Sequence, residues 1–300
     1  MPWREASLIR NHPDNAAGND HRQGLHALAV LAEQNADGTF GRMFHSLARP
    51  DGKHPLTTEQ ALRRLYALGF TRWDEAIQLT LHTLTDCLLY KRKIDDYSEK
   101  SHNWELFTRT MLAAWLRRFD PENAPALDFA RQWAKVIEAA FEDGVFCKQA
   151  YLEAYEQILS RGAKESREPD FCNFYPLALL PGLLRPDTES LFFDYILVNP
   201  KGVYYLYDRP LYKPPEVFAS LDTVRWLSAI ELLSHYPQAK EKLAFAAQWI
   251  NQNRLPDLRW DLGPKAKDGI HLPLSDSWRK KEDRIKDCTE WIGRIMSKLV

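Results

Sequence analysis

Three observations predict an all-α fold. Apolar residues recur at three- and four-residue spacing through most of the 300 positions, the period of an amphipathic helix. No run alternates apolar and polar residues between hairpin turns, so nothing reads as a sheet. Short glycine–aromatic segments punctuate the chain at a nearly regular interval, as in a helical repeat. Together these predict an α/α toroid, a ring of about five helical hairpins that share a core because a lone pair cannot bury both its faces. The ring is expected to form a single domain within 1–300, after an irregular N-terminal segment over 1–18.

The elements follow in order. A lone helix is expected from about Asn19 to Gln34, with Leu25, Leu28, Leu31 and Ala32 on one face. Thr57-Thr58-Glu59-Gln60 is a capping box, followed by Leu62, Leu65 and Tyr66 and closed by Gly69. A second helix starts near Thr71 with Ile77, Leu81, Leu84 and Leu88; the short turn before it predicts an antiparallel hairpin. Trp104, Phe107, Met111, Trp115 and Phe119 mark the next helix, and Ala130, Trp133, Ile137 and Phe141 the one after Pro121, Asn123 and Pro125. Tyr151, Leu152, Tyr155 and Leu159 predict a helix that stops near Gly162. The segment after Pro169, broken by Pro176 and Pro181, should be kinked or short. Further helices carry Leu191, Phe192, Tyr195 and Ile196, then Leu221, Val224, Leu227 and Ile230, then Leu243, Ala246, Ala247 and Ile250. The last is expected to use Ser275 or Asp276 as N-cap and to run through Ile285, Cys288, Ile292 and Ile295.

The punctuating segments are Asp37-Gly38-Thr39-Phe40, Asp143-Gly144-Val145-Phe146 and Lys201-Gly202-Val203-Tyr204, with degenerate copies at Asp257-Leu258-Arg259-Trp260 and Ile94-Asp95-Asp96-Tyr97. Their aromatic residues, at 40, 97, 146, 204 and 260, are 57, 49, 58 and 56 residues apart. The final unit has one long helix, and the first helix has no sequence neighbour to pair with. Packing the first beside the last completes a hairpin and closes the ring; an open solenoid is the other arrangement.

Ala29-Val30-Leu31-Ala32-Glu33-Gln34-Asn35-Ala36-Asp37-Gly38-Thr39-Phe40-Gly41 resembles the repeat of the terpenoid cyclase and protein prenyltransferase superfamily. That repeat ends a helix with Gln, then three residues, Gly, one residue and Trp; Gln34, Gly38 and Phe40 match, with Phe in place of Trp. Trp249-Ile250-Asn251-Gln252, followed by Asp257 and Trp260, resembles a looser copy. The resemblance implies an α/α toroid in which the Gln side chain ties a helix end to its loop and the aromatic packs on the next repeat. The family's acidic Asp-x-Asp-Asp box has its nearest counterpart in Lys93-Ile94-Asp95-Asp96, which lacks the first Asp. The Asp, Cys and His zinc set of the prenyltransferases has no match here.

Composition excludes several roles. A formal net charge of -1 supplies no field to steer nucleic acid or an anionic membrane. Cys87, Cys147, Cys172 and Cys288 are scattered, with no CxxC, which points to reduced thiols and a cytoplasmic setting. The polar start MPWREASLIRNHPDN does not read as a signal peptide, and no apolar run approaches the roughly 18 residues of a membrane span.

Aromatic content, Trp 10, Tyr 12 and Phe 14, fits a helical core and equally a ligand cavity. Asp95-Asp96-Tyr97-Ser98-Glu99 has the form DDxxE, a magnesium–diphosphate motif, but reads first as a solvated loop without a second set of ligands. His82 and Asp86 stand one helical turn apart, and Cys172 is a thiol that a distant His would have to activate. Loops and helix starts on one face of a helical ring surround its opening, and polar and aromatic residues gather there. Asp20, Asp170 and Asp208 are the catalytic candidates on that ground. His21, His102, Trp104, Asn173, Tyr175, Tyr207, Arg209, His271 and Trp278 are the ligand-binding candidates. Helix capping explains several of them as well.

The expected function is therefore a central aromatic-lined cavity for a small organic ligand, in catalytic form an isoprenoid-type enzyme. A carbohydrate-active (α/α)-barrel enzyme would instead need two carboxylates roughly 5–10 Å apart. A non-catalytic interaction scaffold is the third reading. Cofactor, substrate and oligomeric state stay open.

Overall fold

The computed structural model describes residues 20–300 apart from 47, 49, 97, 99–102 and 161–168. Among them are twelve α-helices and no β-strand, only isolated bridges such as Gln34 with Phe40. The helices are α1 (Leu25–Leu31), α2 (Thr58–Ala67), α3 (Glu75–Leu88), α4 (Trp104–Phe119), α5 (Ala124–Ala140), α6 (Lys148–Tyr155), α7 (Phe174–Leu179), α8 (Pro186–Val198), α9 (Leu221–Leu233), α10 (Ala239–Lys242), α11 (Ala244–Gln252) and α12 (Lys281–Leu299).

Local chemistry accounts for most starts and stops. The Thr57 hydroxyl accepts from Gln60 N at 3.2 Å while the Gln60 side chain accepts from Thr57 N at 3.0 Å, so the capping box is complete. Asn103, Asn123, Asn173 and Ser220 cap α4, α5, α7 and α9, each side chain accepting a backbone N–H of the first turn. Pro176 sits in the first turn of α7, where a missing N–H costs nothing, and α7 ends just before Pro181. A π-turn over Glu156–Ser160 follows α6; the stop expected at Gly162 and the repeat aromatic Tyr97 lie outside the described residues.

Two expectations at the chain ends need correction. Helix α1 buries Ala27 and Val30, while Leu25 and Leu28 are 64% and 54% exposed, so of the predicted apolar face Leu31 packs on the core and the two leucines before it point outward. Helix α12 begins at Lys281, not at Ser275 or Asp276. Asp276 instead caps the first helix: its Oδ1 accepts from Leu25 N at 2.7 Å, where Gly24 offers no side chain of its own. Ser275 donates to Asp287 of α12 at 2.8 Å, and the same carboxyl oxygen collects the N–H groups of Leu274 and Ser275 and Nε1–H of Trp278. His21 meets Glu290 at 2.9 Å and Arg294 donates to Ala67 O at 2.8 Å, so α12 lies against the start of the described chain and the end of α2.

Helix α2 is buried nearly all round, Glu59, Arg63 and Arg64 included. Helix α4 packs on α3, α5 and α7; α5 on α6 and α8; α7 on α9; α10 on α8, α11 and α12. The segment between α11 and α12 returns to α2, where Arg64 donates to Ile270 O at 2.9 Å and to Pro273 O at 2.5 Å.

Gln34 Nε2 donates to Ala76 O at 2.8 Å, Thr80 Oγ1 at 3.2 Å and Gly38 O at 3.3 Å, which fastens the end of α1 to the first turns of α3. Phe40 is buried. In the looser copy it is Trp260 that makes the tie, its Nε1 donating to Ile250 O at 2.9 Å. Gly38 has φ +85, and a Cβ there would sit 2.7 Å from the backbone of Leu79 and Thr80. Gly144 has φ +78 with open space around it. Both alanine variants pay the left-handed penalty of about 1–2 kcal/mol, but only Gly38→Ala also collides with helix backbone. Its urea-unfolding loss should exceed that of Gly144→Ala by at least about 1 kcal/mol; equal losses would mean that the Gly38 contact carries no weight.

Candidate functional site

The place where α2, α4, α7 and α9 meet is filled. Arg118 forms an ion pair with Glu231 and lies over the Tyr66 ring, 4.2 Å from its centroid. His235 and Lys298 reach the other Glu231 oxygen at 2.9 and 3.6 Å. Burial alone would raise the Glu231 carboxyl, but Arg118, His235 and Lys298 hold it well below the usual carboxylate range. A void of only about 20 Å³ remains, bordered by Arg63, Trp115, Phe174, Ser228 and His271.

Ser228, His271 and Asp268 border or back this void in the chemical order of a hydrolase triad. Their geometry does not serve one. His271 Nδ1 pairs with Asp268 at 2.7 Å, but both ring nitrogens stand 3.4–3.5 Å from Ser228 Oγ, so the ring lies side-on to the hydroxyl. Ser228 donates to Val224 O at 2.8 Å, and His271 stacks on Trp291 with centroids 5.1 Å apart. A void of this size admits no substrate.

Beside this plug an open cavity of about 800 Å³ lies between α4, α5, α6, α7 and α8 and the loops over 169–173 and 199–205. Aromatic rings dominate its wall: Phe107, Trp133, Phe146, Tyr151, Tyr155, Phe171, Tyr175, Tyr195, Tyr204 and Tyr205. They brace one another, with centroid distances of 4.4 Å for Phe146–Tyr195, 5.3 Å for Phe171–Tyr195 and 5.5 Å for Phe107–Tyr175, within the range of favourable ring pairs. The rim loop is laced to the segment before α7 by Tyr204 N to Cys172 O, 2.9 Å, and Phe174 N to Tyr204 O, 3.3 Å. It turns on Gly202, φ +64, where a Cβ would meet Tyr207 O at 2.2 Å. Tyr205 holds φ 76, a conformation a bulky residue keeps only when its surroundings impose it, and its ring stands 5.5 Å from that of Tyr175.

Several polar groups of the wall are spent on their own chain. Asn103 Oδ1 accepts from Leu106 N, Asn173 Oδ1 from Tyr175 N, Asn199 Oδ1 from Lys201 N and Asp170 Oδ1 from Cys172 N, at 2.8–3.2 Å. Thr110 donates to Leu106 O at 2.8 Å and accepts from Trp133 Nε1 at 3.2 Å. Burial pushes the Cys172 thiol up, away from nucleophilic use.

Behind the wall is a residue that sequence reasoning did not single out. Glu59 is fully buried; Trp115 Nε1 donates to its Oε1 at 2.5 Å and the Tyr175 hydroxyl to its Oε2 at 3.0 Å. Burial outweighs both bonds and pushes its carboxyl up to about 7. Its sequence signal, a place inside the capping box, reads as a helix start and nothing more.

Of the candidate residues, Asp170, Asn173 and Tyr175 line the cavity, and Trp104 stands against its wall, 5.1 Å from the Phe107 ring. The others lie elsewhere. Asp20 binds Arg22 at 2.7 Å, and His21 binds Glu290. Asp208 is exposed, Arg209 pairs with Asp222, and Tyr207 is buried under Arg209. His271 borders the small void, and Trp278 is bonded to Asp287 at 2.6 Å. His102 lies outside the described residues.

Asp96 of the DDxxE segment is bonded to His45 Nδ1 at 2.8 Å, with Tyr97 and Glu99 outside the described residues. His82 and Asp86 form an exposed pair at 3.5 Å. Among the described residues no group of three or more His, Cys, Asp or Glu is placed to hold a metal ion, and no helix is long and apolar enough to cross a membrane. Comparison of the chain with protein-family models, curated proteins and solved structures gave no match.

Proposed function

We propose that the chain is an α/α toroid that binds a small, mainly apolar organic ligand in the aromatic cavity beside its filled centre. The observation that carries this reading is the cavity itself: about 800 Å³, within the usual size of small-molecule sites, walled by rings with a few polar groups. The toroid is supported by the ties of α2 to α4 through Glu59 and Trp115, of α4 to α7, of α7 to α9 and of α9 back to α2 through Glu231 and Tyr66, and by the meeting of α12 with the N-terminal turn. Among catalytic classes, the apolar wall favours an isoprenoid-type reaction over carbohydrate chemistry. Hydrolysis of a sugar needs a second carboxylate, and neither Asp20 nor Asp208 borders the cavity to face Asp170. The four unpaired cysteines support a reducing compartment, and we place the chain in the cytoplasm.

Titration with N-phenyl-1-naphthylamine, a neutral apolar dye, tests the cavity. We expect saturable one-site binding. Leu106→Trp and, separately, Cys172→Met narrow the space from two walls. Each should weaken the dye at least tenfold while the protein still unfolds cooperatively, overpacking costing about 1–3 kcal/mol. Unsaturable binding, or unchanged affinity in both folded variants, would overturn the reading.

A further inference from the structure

Asn103, Leu106, Phe107 and Thr110 of the α4 segment border the cavity. The last three follow Asn103 by three, four and seven residues, which puts all of them on one face of the helix. Asn103 heads this stripe as the N-cap, its Oδ1 accepting from Leu106 N at 3.2 Å. The cap uses only the carbonyl arm of the amide. The other arm is an NH2 group, which donates and cannot accept. Neighbouring polar groups of the wall are committed differently. Asn173 spends both arms, Oδ1 on Tyr175 N and Nδ2 on Asp170 O. Thr110 is closed by Leu106 O and Trp133. A tyrosine hydroxyl both donates and accepts, so it does not select between ligand groups. Asn103 is only partly buried, and its Nδ2 meets no acceptor among the described residues. It is a donor held in place by the cap, one helical turn from Phe107.

We propose that Asn103 anchors the ligand: its amide N–H donates to an acceptor, a carbonyl or ether oxygen, on an otherwise apolar body that lies among the rings. This rests on the cavity reading given above and adds to it the group by which the ligand is oriented.

Two competitors of N-phenyl-1-naphthylamine test it. 1-Benzylnaphthalene and 1-benzoylnaphthalene share their ring systems and differ in the bridge, a methylene in one and a ketone in the other. The ketone should bind at least about threefold tighter through one hydrogen bond, although it is the less hydrophobic of the two. Asp and Ser cap a helix about as well as Asn, so Asn103→Asp and Asn103→Ser keep α4 and remove the amide donor. Each variant should abolish the margin of the ketone, and Asn103→Ser should leave 1-benzylnaphthalene unchanged. Equal binding of the two competitors to the wild type, or an unchanged margin in either variant, overturns the role of Asn103 while the cavity stands. If the dye does not saturate, or Leu106→Trp and Cys172→Met both leave it unaffected, the cavity reading fails and the proposal fails with it.

Discussion

Glu59→Gln is expected to flatten part of the pH dependence of stability between about pH 4.5 and pH 7. In the unfolded chain this carboxyl loses its proton near the ordinary value of 4.5, whereas burial holds the proton on in the native state up to about 7. The native state therefore binds more protons across this window, and stability falls as pH rises through it. At 1.36 kcal/mol for each pH unit, the fall from this one group is about 3 kcal/mol. A glutamine keeps the shape, accepts from Trp115 through its oxygen and donates to a reoriented Tyr175 hydroxyl, and it does not titrate. Glu231 and Asp268 act with the opposite sign but below this window, because their carboxyls are held under the ordinary values of 4.5 and 3.8. The readout is thus the difference between wild type and variant in urea unfolding from pH 4.5 to 7.5: the gap should open by about 3 kcal/mol in favour of the variant. Parallel curves would show that Glu59 is not the buried proton-holding group described.

Glu231→Leu should be the most damaging single change in the filled centre. It strands the Arg118 guanidinium between the Tyr66 ring at 4.2 Å and the Phe174 ring at 6.0 Å, and removing one partner of a buried pair costs about 3–5 kcal/mol. It also takes the carboxylate away from His235 and Lys298. Arg118→Met together with Glu231→Leu replaces the pair by apolar groups of similar volume and should regain most of the loss. A double-mutant cycle by urea unfolding measures this directly. Strict additivity of the two single losses would mean that the pair is not coupled and that the centre is held by its rings alone.

Much of the helical framework was legible because its signals are local. The Thr57–Gln60 box, the Asn123 punctuation before α5 and the proline-limited α7 each need only a few consecutive residues. The segment from Asp170 to Tyr175 was legible as a place where polar and aromatic residues gather, and it does form one wall of the cavity. Glu59 was not legible. Its spacing of three and seven residues from Leu62 and Tyr66 puts it on their face of α2, but the capping box already accounts for an acidic residue there. Its burial depends on Trp115 and Tyr175, which are 56 and 116 residues away in sequence. The outward turn of Leu25 and Leu28 was hidden for a related reason. The first helix takes its cap from Asp276, and the contacts that orient it come from the far end of the chain. The candidates Asp208, Arg209 and Trp278 are polar or aromatic like Asp170, Asn173 and Tyr175 but do not share their location, because composition marks a loop without saying which loops converge.

The measurement that most directly tests the central claim is a crystal structure of the full chain with bound N-phenyl-1-naphthylamine. The account predicts the dye seated between α4 and α8, with its rings against Phe107 and Tyr195 and the filled centre around Arg118 and Glu231 undisturbed. A dye found on the outward face of α1, beside Leu25 and Leu28, with the aromatic cavity empty, would contradict it.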